Sequence, residues 1–288
     1  MTTPDAAKLC DIAVSVARKT GEMLASRAGR VEVAATKSSP TDVVTEMDRR
    51  AEALIRSLLA AARPDDAILG EEEGQTGDTD GAPARWVVDP LDGTVNYLYG
   101  LHDWAVSIAV EVGAAGSGGG GAAGGEVGRK LVAGAVFVPD RDEMFSAFAG
   151  GGAWLEAAGG ERTRLRCGPG VPLRQALVGT GFGYLPGMRQ VQGEVVAALL
   201  PRLRDIRRIG VASIDLCAVA AGRLDGFYER GLHYWDWAAG ALVASEAGAT
   251  VGGLRGAAPS SSMTMAAGPA LFGPLAEALA GLDPERDA

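Results

Sequence analysis

Residues 88–94 (VDPLDGT) constrain the fold of this chain more than any other stretch. The largely apolar run 85–88 predicts a buried strand, and the proline and glycine that follow predict a sharp turn. Asp89 and Asp92 therefore project from one strand end, where paired carboxylates suit a divalent cation. A helix that begins at the end of the stretch faces an anion such as phosphate with its unpaired N–H groups. Taken alone, an exposed Asp-Pro-x-Asp-Gly turn also explains this pattern.

Two distant segments supply further carboxylates. The apolar run 67–70 ends in a glycine and leads into three glutamates, Glu71–Glu73, a clustering of like charge that favours a bound cation or solvent screening. Asp236 stands among bulky aromatic residues directly ahead of a predicted helix over 237–247. Taken singly, the glutamates are a solvated loop and Asp236 is an N-cap. The combination favours a metal site.

These segments together resemble the inositol monophosphatase family, which includes lithium-sensitive sugar-phosphate and nucleotide phosphatases. The matching blocks follow the family's order and are 37–48 (KSSPTDVVTEMD), 70–72 (GEE), 89–94 (DPLDGT) and 235–240 (WDWAAG). The resemblance spans nearly the whole chain. It implies an α/β fold, a layered α-β-α-β-α sandwich of the inositol monophosphatase and fructose-1,6-bisphosphatase type. The order of helices, then mixed strands, then helices is consistent with such layers.

The resemblance also implies a set of metal ligands for Mg²⁺. These ligands are Glu71, Asp89, Leu91 through its carbonyl, Asp92 and Asp236. Asp89 is expected to bridge two ions, with Glu71 and Leu91 on one and the two remaining aspartates on the other. Glu72 is expected beside the ligands. Such an all-oxygen set without His or Cys suits Mg²⁺.

The family's catalytic groups can be carried onto four positions. A metal-activated water, oriented by Glu71 and the Thr94 hydroxyl, is expected to attack the phosphorus in line with the ester oxygen, with Asp48 hydrogen-bonded to Thr94. Asp48 also has a structural interpretation, because Thr45-x-x-Asp48 before an apolar periodic run predicts a capping box. Lys37 is implied near the phosphate and metal, whereas by itself it is a solvated loop lysine.

Substrate contacts are implied at several positions beside the metal ligands. They are Asp92, Gly93, Thr94, Ala212 and Glu229. Ala212 lies in a segment that resembles a backbone bordering the sugar, and Glu229 in one whose glutamate contacts a substrate hydroxyl. Arg207 and Arg208 either face an anionic substrate or are exposed charges at the end of a helix.

The expected activity is Mg²⁺-dependent hydrolysis of a small phosphomonoester, with inositol 1-phosphate as the leading substrate. Histidinol phosphate, fructose 1,6-bisphosphate and 3′-phosphoadenosine 5′-phosphate are alternatives, since enzymes of this fold use nearly the same metal residues. Phosphatases that phosphorylate an aspartate use Asp-x-Asp-x-Thr, which the spacing Asp89-x-x-Asp92 does not match. A non-catalytic regulatory protein is a hypothesis of another class, and the intact acidic set argues against it.

Composition is consistent with a soluble enzyme with a large core. Of the 288 residues, 47% are hydrophobic, and the net charge of −9 argues against a nucleic-acid polymer as partner. Cys10, Cys167 and Cys217 match neither zinc spacing nor a disulfide framework, which favours a reducing cytoplasm. No leader pattern or membrane-length apolar segment is evident, so no membrane association is expected. The resemblance adds the expectation of a homodimer.

Apolar spacing predicts the order of elements along the chain. Helices are predicted near 9–24, 45–61, 213–221 and 237–247, and strands near 104–112, 131–138 and 143–149. Residues 113–125 contain only Gly, Ala and Ser and have linker composition without the ending of a P-loop. The run 179–183 (GTGFG) predicts a turn at a strand end. We expect an N-terminal half, 1–150, with most metal ligands, and a second half, 151–288, with Asp236 and the substrate wall.

Overall fold

The computed structural model describes residues 5–26, 33–36, 43–78, 81–113 and 128–287, so Lys37 and residues 114–125 of the glycine-rich run lie outside it. The helices are α1 (Ala6–Ala25), α2 (Glu46–Ala62), α3 (Thr94–Tyr99), α4 (Pro186–Leu199), α5 (Ala212–Ala220), α6 (Tyr234–Glu246) and α7 (Pro269–Ala280). The strands are β1 (Val33–Thr36), β2 (Val43–Thr45), β3 (Ala67–Gly70), β4 (Gly74–Thr76), β5 (Arg85–Asp92), β6 (Ala105–Gly113), β7 (Arg129–Val138), β8 (Glu143–Phe148), β9 (Gly152–Glu156), β10 (Arg162–Arg164), β11 (Leu177–Thr180), β12 (Asp205–Arg207), β13 (Gly226–Glu229), β14 (Thr250–Gly252) and β15 (Thr264–Ala267). Among these described residues, no helix is long and apolar enough to cross a membrane.

Two sheets carry most of the strands. The first has the order β10-β9-β8-β7-β6-β5-β3-β4, in which β3 and β5 are parallel and the other neighbours antiparallel. The second has the order β12-β11-β13-β15-β14, with β11 parallel to both of its neighbours. Strands β1 and β2 pair as a separate small sheet.

Helices separate and cover the two sheets. One apolar core joins α1 and α2 to the outer face of the first sheet, and another joins α4 and α7 to the outer face of the second. A third core contains α5 and α6 between the two sheets. The layers are therefore α-β-α-β-α, and the predicted fold class and layer order are confirmed.

The inner helices owe their position to their composition. Every residue of α5 is buried, and α6 is buried from Trp237 to Ala244. A helix that is apolar all round requires packing partners on every side, and two flanking sheets provide them. Small residues allow the close approach, since a Cβ on Gly240 would lie 2.8 Å from the Leu216 Cβ. Both helices begin at the edge of the site described below.

Two local expectations differ from the structure. Helix α6 begins at Tyr234 and not at Trp237, so Asp236 lies within its first turn. The Asp236 carboxylate accepts a hydrogen bond from the His233 backbone N–H, which closes an N-terminal turn that apolar spacing does not detect. The alternative of a helix end for Arg207 is wrong, because this residue belongs to β12. The division near residue 150 stays a prediction.

Candidate active site

The turn after β5 places two aspartates at the edge of the first sheet. Gly93 has φ +92°, and a Cβ there would lie 2.7 Å from Val211 Cγ2, so this left-handed, crowded position requires glycine. Helix α3 then begins at Thr94, as the pattern predicts. Asp89 is 2% exposed, and its Oδ1 accepts a hydrogen bond from the Leu91 N–H at 3.0 Å. That bond helps to fix the orientation of the Asp89 carboxyl group.

Asp48 and Thr94 are in direct contact. The Thr94 hydroxyl lies 2.9 Å from Asp48 Oδ1 and 3.1 Å from the Leu91 carbonyl oxygen. Asp48 Oδ2 accepts from the Thr45 N–H at 2.8 Å and from its hydroxyl at 2.5 Å. The capping box and the Thr94 contact thus coexist on opposite oxygens of one buried carboxylate. Helix α2 therefore supplies a fixed acceptor beneath the Thr94 hydroxyl.

A buried glutamate holds the acidic loop, residues 71–73, that follows β3. Glu52 is fully buried, and its oxygens accept from the Glu72 and Glu73 N–H groups at 2.7 and 3.0 Å. Arg56, one helical turn later, donates to Glu52 Oε1 at 2.7 Å. Sequence reasoning missed Glu52, although it falls on the buried face of α2 at helical spacing from Asp48. An acid on the apolar face of a helix was the available signal.

Asp92 and Asp236 are each fixed by a helix N-terminus. Asp92 Oδ2 accepts from the Ser213 N–H at 2.9 Å and the Ser213 hydroxyl at 2.6 Å, which ties the β5 turn to α5. Asp236 Oδ2 accepts from the His233 N–H at 2.7 Å in the first turn of α6. In each aspartate, hydrogen bonds to one carboxylate oxygen fix the orientation of the side chain. The two inner helices thus meet the β5 turn at their N-terminal ends.

A cavity of about 640 Å³ opens where these elements meet. The predicted site residues that line it are Glu71, Asp89, Leu91, Asp92, Gly93, Thr94, Ala212, Glu229 and Asp236. Asp48 stands behind Thr94, and Glu72 is not part of the lining. Arg208 lines the cavity, whereas Arg207 pairs with Asp205 at 2.6 Å on the surface. Within the described ranges the acids surround the cavity without converging on one point as a closed cage of three or more ligands.

Burial and mutual repulsion raise the pKa values of the cavity carboxylates. The pKa of Asp89 is raised well above its ordinary value, first by burial and then by the charges of Glu71, Asp92 and Asp236. Burial raises the pKa of Asp92 to about 7 despite the opposing Ser213 hydrogen bonds, with a smaller contribution from Glu71. Burial and the charges of Glu71 and Asp92 likewise raise the pKa of Asp236. A nearby cation would relieve this accumulation of negative charge.

Glu229 stands on the opposite wall of the cavity, at the end of β13 in the second sheet. Burial, followed by the charge of Asp92, raises the pKa of Glu229 to about 8, whereas Arg208 lowers it. A Cβ on Gly181 would lie 2.1 Å from Glu229 Oε2, so the turn after β11 is glycine where it meets this carboxylate. The run 179–183 thus forms the predicted strand-end turn and packs against Glu229.

The donor set fits a hard divalent cation. The candidate ligands are carboxylate oxygens and one backbone carbonyl, the atoms that Mg²⁺ prefers, and the described lining contains no cysteine. His233 is the histidine of the lining, and its backbone N–H is committed to Asp236. Several buried like charges around one solvent-filled space are costly without a counter-ion. The chemistry of the cavity therefore matches a Mg²⁺ site.

Several known proteins are similar to this chain in sequence and in fold. A sequence profile of the inositol monophosphatase family matches residues 5–280. Inositol-1-monophosphatase SuhB of Mycobacterium tuberculosis is 48% identical over 230 residues, which cover 78% of this chain and 74% of that relative. A Pseudomonas aeruginosa protein named Nus factor SuhB is 38% identical over 255 residues, 86% of either chain. The solved structure of Mycobacterium tuberculosis SuhB matches with a TM-score of 0.77 at 39% identity, over 98% of this chain and 99% of that one.

Proposed function

This chain belongs to the inositol monophosphatase family and is a phosphoric monoester hydrolase, and we propose that it hydrolyses inositol 1-phosphate with Mg²⁺. The observation that carries the proposal is the shared cavity, where acids from β5, the β3 loop and α6 line one wall and Glu229 lines another. Proteins of the family are metal-dependent, usually with Mg²⁺. The name of the 48% identical relative supports inositol 1-phosphate as the substrate.

We assign the metal to Glu71, Asp89, the Leu91 carbonyl, Asp92 and Asp236. Bound Mg²⁺ would neutralise phosphoryl oxygens, activate a water and stabilise the leaving oxygen. The charges of Glu71, Asp92 and Asp236 all raise the pKa of Asp89, as expected for neighbouring carboxylates. The Ser213 and His233 hydrogen bonds hold Asp92 and Asp236 in fixed orientations before any ion arrives. Preorganised ligands of this kind reduce the cost of ordering on binding.

Thr94 and Asp48 would orient the attacking water. With its proton directed to Asp48 Oδ1 at 2.9 Å, the Thr94 hydroxyl oxygen can accept a hydrogen bond from a water in the cavity. Asp48 itself is held by Thr45, so the acceptor direction of Thr94 is fixed by the fold. Glu71, on the facing loop, is the second acceptor that we propose for this water. The attack direction is then set by two protein oxygens from different elements.

We assign the binding of the inositol ring to the substrate wall of the cavity. Glu229, at the end of β13, and Ala212, the first residue of α5, both line the cavity. The buried carboxyl group of Glu229 is suited to exchange hydrogen bonds with substrate hydroxyls. Gly93 and Thr94 lie on the side where the phosphoryl group is expected, at the start of α3.

A phosphate-release assay with Mg²⁺ tests this proposal. The substrates are inositol 1-phosphate, histidinol phosphate, fructose 1,6-bisphosphate and 3′-phosphoadenosine 5′-phosphate, compared by kcat/KM. We expect inositol 1-phosphate to give the highest value, activity to disappear with EDTA and lithium to inhibit. A higher kcat/KM for any of the other three would replace the substrate, and no release from all four would support a non-catalytic role. The homodimer and the cytoplasmic location stay predictions, the first testable by light scattering.

A further inference from the structure

Strands β5 and β6 carry a line of polar residues on the face toward α6. Arg85 lies opposite Glu111, and Asp89 lies opposite Ser107, in one antiparallel register. Val87, between the two β5 residues, belongs to the core between the sheets, so strand alternation places its odd-numbered neighbours on the same face. A buried polar row therefore runs from the proposed metal ligand Asp89 along the sheet.

The far end of this row is a buried ion pair joined to α6. Arg85 Nε and Nη2 donate to Glu111 Oε2 at 2.9 and 2.6 Å, and the two residues are 3% and 0% exposed. The Tyr234 hydroxyl donates a short hydrogen bond to the other Glu111 oxygen, Oε1. Burying such a pair is close to neutral for stability, because desolvation offsets much of the attraction. The ion pair is therefore better explained by its hydrogen bond to Tyr234 than by a contribution to stability.

What the ion pair holds is the first turn of α6. Tyr234 is the first residue of this helix, and Asp236 is the third. The Ser107 hydroxyl makes a second, longer contact of 3.4 Å to the Trp235 carbonyl oxygen. The Tyr234 ring also meets the Trp237 ring edge-on, with centroids 4.8 Å apart. A single turn of helix is nearly rigid, so a rotation that moves Tyr234 also moves Asp236.

We propose that Arg85, Glu111 and Tyr234 form an anchor that sets the rotation of the first α6 turn and so holds Asp236 toward the metal ions. This inference rests on the proposed function, because it takes Asp236 to be a metal ligand. Tyr234 and Glu111 are positioning residues that act through the backbone of α6. Partners that orient a ligand commonly contribute about tenfold to metal affinity.

The test is Mg²⁺ binding to EDTA-treated protein, measured by titration calorimetry without substrate. Tyr234→Phe keeps the ring and removes the hydroxyl, and we expect Mg²⁺ to bind about tenfold more weakly. We expect kcat at saturating Mg²⁺ to recover to near the wild-type value, since excess metal compensates for a misdirected ligand. Tyr97→Phe is the matched control, because it removes a buried hydroxyl that donates to the Leu24 carbonyl at 2.8 Å in the outer core. It should leave Mg²⁺ affinity unchanged.

Asp236→Asn distinguishes a failure of the proposed anchor from a failure of the proposed metal site. If it weakens Mg²⁺ binding strongly and Tyr234→Phe weakens it more than Tyr97→Phe does, the anchor is supported. If Asp236→Asn weakens binding while the two Tyr→Phe variants behave alike, the anchor is wrong and the metal site stands. If Asp236→Asn binds Mg²⁺ as the wild type does, the ligand assignment itself fails, and the anchor fails with it. The Mg²⁺-induced rise in Tm gives the same comparison without any assay of activity.

Discussion

Replacing Asp92 by asparagine should stabilise the metal-free protein while it removes Mg²⁺-dependent activity. The folded protein raises the pKa of Asp92 from its ordinary 3.8 to about 7, mainly through burial. At pH 8 the ionised side chain therefore opposes folding, by up to about 4 kcal/mol from the difference between these two pKa values. Solvent in the cavity screens part of this, so we expect about 2 kcal/mol. The asparagine oxygen can still accept both Ser213 hydrogen bonds.

The assay is urea unfolding in EDTA at pH 8, followed by circular dichroism. A gain of about 2 kcal/mol corresponds to a midpoint about 0.7 M higher for an m-value of about 3 kcal/mol/M. The wild type in EDTA should lose stability as pH rises from about 4 to about 7, because the folded carboxyl keeps its proton to higher pH than the unfolded one. The variant should lose less over this interval. With Mg²⁺ added, the wild type should gain stability and the variant should gain little.

A matched variant and one outcome decide this prediction. Asp205→Asn changes the same chemistry at an exposed position beside Arg207 and should leave the midpoint in EDTA unchanged. If Asp92→Asn unfolds at the same or lower urea concentration than the wild type in EDTA, the ionised carboxylate does not oppose folding. Burial and mutual repulsion of the cavity carboxylates would then not destabilise the metal-free protein.

Three other variants test separate walls of the cavity. Glu52→Gln should weaken Mg²⁺ binding about tenfold in calorimetry, since the acidic loop loses a charged acceptor. The control Glu46→Gln, at an exposed position of the same helix, should leave the affinity unchanged, and equal affinities of the two variants would contradict the role of the loop. Gly181→Ala should raise KM for inositol 1-phosphate without changing Mg²⁺ affinity, because the added Cβ displaces the Glu229 carboxylate; an unchanged KM would argue against Glu229 as a substrate contact. Thr94→Val should lower kcat about 100-fold and Thr94→Ser far less, as measured by phosphate release, and similar values for both would exclude the hydroxyl from orienting water.

The features that the sequence could predict are local ones. The turn at residues 89–94 and the capped start of α2 at Thr45 each depend on a few neighbouring residues, and both are present. The layer order followed from the family resemblance. The start of α6 was misplaced, because Tyr234 and Trp235 precede the run of small apolar residues and the turn is closed by the Asp236 side chain.

Contacts between distant residues could not be predicted in this way. Glu111 and Tyr234 lie 123 positions apart, and nothing in either segment indicates the other. The position of Glu52 on the apolar face of α2 indicates that this acid is buried, but not that its partners are the N–H groups of Glu72 and Glu73. Sequence patterns report which residues face inward, but the partner of a buried charge depends on how whole layers pack. The candidate ligands were therefore easier to propose from the sequence than the groups that hold them in place.

The placement of α5 and α6 between two sheets ties catalysis to the completeness of folding. One helix orients Asp92 through Ser213, the other bears Asp236, and each sheet contributes a different wall. A partly folded chain in which one sheet has not docked would lack one wall of the cavity, however well ordered the remainder. Turnover would then report native molecules alone. The metal would bind tightly only after both sheets have docked.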